Sequence, residues 1–147
     1  LGPAETPGVV ATYQRTNTEE GKITWINQDS NGKLRMPNGK EVFKEAVLSL
    51  PLVCRKLVSD ARWSLEDVDL VFFHQANKRI LDVVQKELGL YGSQVFMNIQ
   101  KYGNTSAASA PICSVEAFEE GRLKSGKKII MACIGAGMIT SGVAAIV

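Results

Sequence analysis

Histidine is almost absent from this 147-residue chain: His74 is the only one. Cysteine is nearly as sparse. Cys54, Cys113 and Cys133 stand far apart inside apolar contexts. That odd count has no metal-type spacing, so it speaks against a zinc site and for reduced thiols in a cytosolic protein. No apolar run reaches membrane-spanning length. The opening residues, Leu1 to Gly8, lack the charged and apolar blocks of a signal peptide, and they lack a starting methionine. A Gly/Pro-rich stretch after a single leucine looks like the exit of a strand whose earlier part lies upstream. Excess charge is missing as well. The 17 basic and 15 acidic residues leave a formal charge of +2. Basic residues are scattered, apart from Lys78-Arg79 and Lys124 to Lys128, which excludes nucleic acid as the expected partner. There is no internal repeat and no low-complexity segment.

What remains is an ordinary soluble composition, 45% hydrophobic and 22% charged, at a length suited to one compact domain. Val9 to Arg15 and Gly21 to Ile26 read as two short strands joined by a polar turn through Asn17 to Glu20. Asn27 to Gly32 reads as a loop. After Asn38-Gly39, one helical face carries Val42, Phe43, Ala46, Val47, Leu50, Cys54, Leu57, Val58 and Ala61. Pro51 interrupts that pattern and predicts a kink or a break. Ser64 to Asp67 forms a capped turn into an apolar strand that ends at His74.

A second helix runs from Asn77 with Ile80, Leu81, Val84 and Leu88 inward, and Gly89 stops it. Val95 to Ile99 is a third strand. A helix of small residues follows from Ser106 to Gly121, with Pro111 tolerable in its first turn. Lys127 to Cys133 and Ile139 to Val147 are strands joined by Gly135-Ala136-Gly137, so tight a link that the two must be antiparallel neighbours. Alternating strands and helices predict an α/β layered domain with a mixed sheet.

Three features fall just beyond successive strand ends: His74, Asn104 and the Gly135–Gly137 link. A histidine and an asparagine amide placed together can both donate to a developing enolate or thioester oxygen. A glycine link lets a backbone N–H approach a reacting carbonyl unhindered. Taken singly, each has a plainer reading, as a helix cap, a turn residue and a chain reversal. The sequence also leaves open which ring nitrogen of His74 carries a proton.

The words around these residues narrow the choice. His74-Gln75-Ala76-Asn77-Lys78-Arg79-Ile80 and Tyr102-Gly103-Asn104-Thr105-Ser106-Ala107-Ala108-Ser109 closely resemble the two signature segments of β-ketoacyl-ACP synthase III. Asn38 to Lys44, Gly121 to Gly126 and the glycine link before the last strand resemble the same family, in its order and over nearly the whole chain. The resemblance implies an α/β, thiolase-like fold, here its C-terminal half: a mixed five-stranded sheet with helices on both faces. It implies an acyltransferase of fatty acid biosynthesis initiation that condenses acyl-CoA with malonyl-ACP.

His74 and Asn104 match the family's decarboxylation pair, and Gly137 lies where the family takes a backbone N–H of its oxyanion hole. Arg79, Lys78 and Asn77 fall where ACP or CoA is met. No metal or resident cofactor is implied, since CoA thioester and ACP phosphopantetheine are substrates. The expected partners are acyl carrier protein, acyl-CoA, an N-terminal half bearing the nucleophilic cysteine, and a second copy in a homodimer. The expected location is the cytoplasm, or the plastid stroma in a plant. None of the three cysteines stands at the nucleophile's place, so residues 1–147 are expected to lack condensing activity alone. Two alternatives stay open: another thiolase-fold condensing enzyme of polyketide or long-chain type, and a non-catalytic partner subunit.

Overall fold

The computed structural model describes residues 6–17 and 27–147. Its centre is a five-stranded sheet in the order β1-β7-β6-β4-β5, formed by β1 (Gly8–Thr16), β4 (Leu70–Phe73), β5 (Val95–Phe96), β6 (Lys128–Gly135) and β7 (Ile139–Ile146). β4 runs parallel to both β5 and β6, whereas β7 is antiparallel to β6 and to β1. The sheet is mixed, as the short glycine link requires.

Two short strands, β2 (Asn27–Gln28) and β3 (Leu34–Arg35), form a separate hairpin. The stretch read as a loop over Asn27 to Gly32 is therefore the head of that hairpin. Asp29 Oδ1 organises it by accepting the N–H groups of Asn31 and Lys33, each at 2.9 Å. The strand expected over Gly21 to Ile26, with most of the turn before it, lies outside the described residues.

β4 explains the layering. Its four residues, Leu70-Val71-Phe72-Phe73, are all buried, which is the signature of a strand covered on both faces. Val71 and Phe73 enter one core with the inner faces of α1 (Gly39–Ala61) and α2 (Lys78–Leu88). Leu70 and Phe72 enter a second core with Phe96 and with Ala110, Cys113 and Ala117 of α4 (Ser109–Glu119). Helices therefore cover both faces.

The sequence expectation at Pro51 included a helix broken in two. Instead α1 runs unbroken for 23 residues with Pro51 buried inside it. An interior proline costs about 3 kcal/mol through its missing N–H and its ring clash. Burying a Leu or Val side chain returns about 1.5–3 kcal/mol. Leu50, Val53, Cys54 and Leu57 are all buried on either side of Pro51, so packing outweighs the local penalty. The helix ends at Arg62 in the left-handed region, φ 59°. Asp67 then closes the next turn, accepting from Ser64 N at 2.7 Å and Ser64 Oγ at 2.9 Å.

The strand expected over Val95 to Ile99 is shorter than its apolar run. β5 stops at Phe96, and Ile99–Tyr102 forms the single turn α3. The backbone N–H of Asn98 is claimed by the side chain of Gln75 at 3.3 Å, and the Asn98 carbonyl receives Lys101 N and Tyr102 N at 2.9 and 3.1 Å. Those bonds replace the sheet ladder at that point. After α3 a 3-10 turn over Ser106–Ala108 feeds α4, and Pro111 falls in the first turn of α4 as expected.

Gly142 of β7 packs beneath α1. A Cβ there would meet Leu57 Cδ1 and the Met131 carbonyl oxygen at 2.9 Å and Val53 Cγ1 at 3.0 Å. The Met131 carbonyl is held in the sheet and cannot move aside cheaply. Gly142→Ala is expected to lower stability by about 1–3 kcal/mol, the usual cost of overpacking. Urea unfolding with an unchanged midpoint would contradict that.

Candidate active site

The C-terminal ends of β5, β4 and β6 lie side by side, the edge where open α/β sheets place ligands. His74 follows β4 directly, and its N–H donates to the Ala132 carbonyl of β6 at 3.0 Å. Asn104 follows β5 through α3. Gly137 follows β6 in a 3-10 link over Ala136–Met138, with φ 79° and ψ 6°. That positive φ is why glycine stands there. The far side of the link is pinned to β1, because Asn17 N donates to the Met138 carbonyl at 3.0 Å.

His74 is half-buried, and its Nδ1 lies 2.7 Å from Ser109 Oγ. Burial lowers its pKa below the usual 6.5, and the Ser106 carbonyl beside the ring opposes that shift in part. The ring is therefore neutral at pH 7. Asn104 is exposed, and its Oδ1 accepts the N–H of Ser106 at 2.9 Å. The acceptor end of the amide is occupied by the turn, which leaves Nδ2 as the donor end for a ligand. Ser106, held at φ 54°, thus meets the Asn104 amide through its N–H and faces the His74 ring with its backbone.

The basic residues of the same stretch are arranged less uniformly. Asn77 is the N-cap of α2, its Oδ1 accepting Arg79 N at 2.9 Å. Lys78 pairs with Asp82 one turn along, at 2.7 Å. Arg79 is exposed and has no side-chain partner among the described residues, so its guanidinium is the cation available to an acidic ligand.

All three thiols stay protonated at neutral pH. Burial pushes Cys54 up to about 12 and Cys113 up to about 11, and it raises Cys133 too. Among the described residues no cluster of His, Cys, Asp or Glu could hold a metal ion, and no helix is long and apolar enough to cross a membrane. A cavity of about 620 Å³ lies between α1, α2 and the end of β1, where Glu45, Leu48, Leu52 and Val83 line it.

Residues 58–146 match the profile of the family described as 3-oxoacyl-[acyl-carrier-protein (ACP)] synthase III C terminal. The chain belongs to that family. The β-ketoacyl-[acyl-carrier-protein] synthase III of Aquifex aeolicus is 46% identical over 113 residues, which is 77% of this chain and 36% of that protein. The crystal structure of the Aquifex aeolicus enzyme superposes with a TM-score of 0.88 and 40% identity, over 95% of this chain and 44% of that one. The priming β-ketosynthase of the R1128 polyketide pathway superposes at TM-score 0.85 and 26% identity, over 99% of this chain and 47% of that one. The chain thus spans less than half the length of these relatives, and its fold is that of their thiolase-like C-terminal domain.

Within this synthase III C-terminal domain, sequence reasoning missed the residues that support the site. Gln75 is fully buried. Its Nε2 donates to Phe73 O at 2.9 Å and its Oε1 accepts Asn98 N at 3.3 Å. Asn98 in turn donates from Nδ2 to Glu116 Oε2 at 2.6 Å and accepts from Cys113 Sγ at 2.9 Å. Glu116 also receives Tyr102 OH at 2.9 Å and the ammonium of Lys101. One carboxylate on α4 therefore clamps α3, the turn that leads into Asn104. The available signal was the polar Gln directly after His74, just past the apolar run Leu70 to Phe73.

Hydrogen bonds from Lys101, then from Asn98 and Tyr102, hold the Glu116 carboxyl down to about 2 from its ordinary 4.5. The folded state thus releases this proton more readily than the unfolded chain. Its contribution is fully present above pH 4.5 and fades as pH falls toward about 2. Glu116→Gln is expected to flatten the rise of stability with pH across that window. Chemical denaturation series at several pH values would show it, and parallel curves for the two proteins would contradict the clamp.

Proposed function

We propose that this chain supplies the decarboxylation site of a β-ketoacyl-ACP synthase III type acyltransferase. Its reaction is the first condensation of fatty acid biosynthesis. An acyl group, acetyl in the simplest case, passes from CoA to a cysteine thiolate and releases CoA. Malonyl-ACP then loses carbon dioxide, and the thioester enolate left behind attacks the acyl-cysteine carbonyl. A carbon–carbon bond forms, the thiolate leaves, and β-ketoacyl-ACP departs.

The observation that carries this reading is the linkage of two hydrogen-bonding side chains, His74 and Asn104, through the Ser106 turn at the C-terminal edge of the sheet. Decarboxylation places negative charge on the thioester oxygen. Two donors fixed in advance stabilise that charge better than water, which must reorient. A neutral His74 suits this work, since it donates one hydrogen bond without bringing a full charge to be desolvated. Gly137 is assigned a backbone N–H toward the acyl-cysteine oxygen, and Arg79 a contact with the acidic carrier or the CoA phosphates.

The nucleophile is assigned to an N-terminal half outside residues 1–147, because all three thiols here are raised rather than activated. On this reading the 147 residues alone do not condense. The outer face of α4 suits burial against such a half: Val115 and Phe118 are 55% and 68% exposed there, beside Pro111. Homodimerisation and a cytoplasmic location, or the plastid stroma in a plant, complete the proposal. The likeness to the R1128 priming ketosynthase supports a second reading, in which the same site primes a polyketide chain; primer competition assays separate the two.

His74→Ala in the complete enzyme is expected to slow carbon dioxide release from malonyl-ACP about 100- to 1000-fold, the usual loss for one oxyanion donor. Acyl transfer from CoA to the enzyme should persist. Unchanged decarboxylation would remove His74 from the assigned role.

A further inference from the structure

The hydroxyl of Ser109 stands between two partners. The backbone N–H of Gln75 donates to Ser109 Oγ at 3.0 Å, and His74 Nδ1 lies 2.7 Å from the same oxygen. Ser109 is 1% exposed, so water is not available to take its hydroxyl proton. A serine hydroxyl has one proton to donate and two lone pairs to offer. Gln75 takes one lone pair.

If Nδ1 carried the ring proton, it would take the second lone pair. The buried hydroxyl proton would then have no acceptor, since no other partner of Ser109 Oγ is found among the described residues. Buried donors in that condition are rare. If Nδ1 is bare, the hydroxyl donates to it and every polar atom at the node is satisfied.

We propose that Ser109 is a positioning residue: it donates its hydroxyl proton to Nδ1 and so holds the neutral His74 ring with its proton on Nε2. The consequence for chemistry rests on the function proposed above, because Nε2–H is then the group offered to the thioester oxygen. One side chain on α4 would thus decide whether the lone histidine at the end of β4 is a donor or an acceptor there. The rival is the Ser106 carbonyl beside the ring, which would reverse the tautomer if it drew a proton onto Nδ1. The titratable group found against His74 is the Cys133 thiol, which meets its backbone and stays protonated.

His74 is the only histidine of residues 1–147. Long-range proton–nitrogen correlation spectra of the complete enzyme, taken well above the ring pKa, are assigned to His74 by the signal that a His74→Gln variant loses. A locked ring shows two widely separated nitrogen shifts, with Nε2 protonated and Nδ1 bare, and this is the expected result. Ser109→Thr keeps the hydroxyl and should keep the pattern. Ser109→Ala should raise the ring pKa, because a hydrogen bond that favours the neutral form is lost.

A proton found on Nδ1, or averaged intermediate shifts in the wild-type protein, would overturn the proposal. So would a ring pKa that falls in Ser109→Ala, the sign expected if Ser109 were the acceptor. Should Ser109→Ala fail to fold, the wild-type tautomer still decides the matter. Failure of the proposed function would appear elsewhere, as unchanged decarboxylation in His74→Ala, and would leave the tautomer result standing.

Discussion

Gln75 sits with no exposure to solvent between the ends of two parallel strands. Its Nε2 reaches the carbonyls of Phe73 in β4 and Phe96 in β5, and its Oε1 takes the N–H of Asn98. Its own backbone N–H fixes Ser109 at the head of α4. A buried amide must find partners for its donors and its acceptor or destabilise the fold. Satisfying it dictates where β5 stops, where α3 begins and where α4 enters. The placement of His74 and Asn104 follows from those three events.

From that amide the polar connections run in two directions. One passes through Ser109 to the His74 ring. The other passes through Asn98 to Glu116, then to Lys101 and Tyr102, and so to the turn bearing Asn104. Networks of this kind fix a geometry more firmly than their separate bonds suggest, because a half-satisfied buried network is worse than none. On the proposed function, two donors held to a common oxygen need that rigidity, since their advantage over water lies in not having to reorganise.

The fold was legible wherever burial has a simple period. Leu70 to Phe73 reads as an apolar strand, and Ile80, Leu81, Val84 and Leu88 read as one helix face closed by Gly89. Gly135 to Gly137 reads as a reversal between antiparallel strands. Reading failed where long-range partners overrule local preference. Pro51 lies unbroken inside α1 because apolar residues on both sides are buried. Val95 to Ile99 is cut short because a side chain 23 positions earlier captures Asn98 N. The proposed site draws on groups already visible in the chain, His74, Asn104 and Gly137, and on the words of the family. Its supports were not, because Ser109 and Glu116 are ordinary helix residues until tertiary structure brings them to His74 and Asn98.

The central claim is that His74 and Asn104 act together on one oxygen. A double-mutant cycle on carbon dioxide release from malonyl-ACP by the complete enzyme measures this most directly, with His74→Ala, Asn104→Ala and the pair. Residues that work as a unit give a double variant little worse than the poorer single one. Losses that multiply in full, or a single variant that decarboxylates at the wild-type rate, would contradict a shared site.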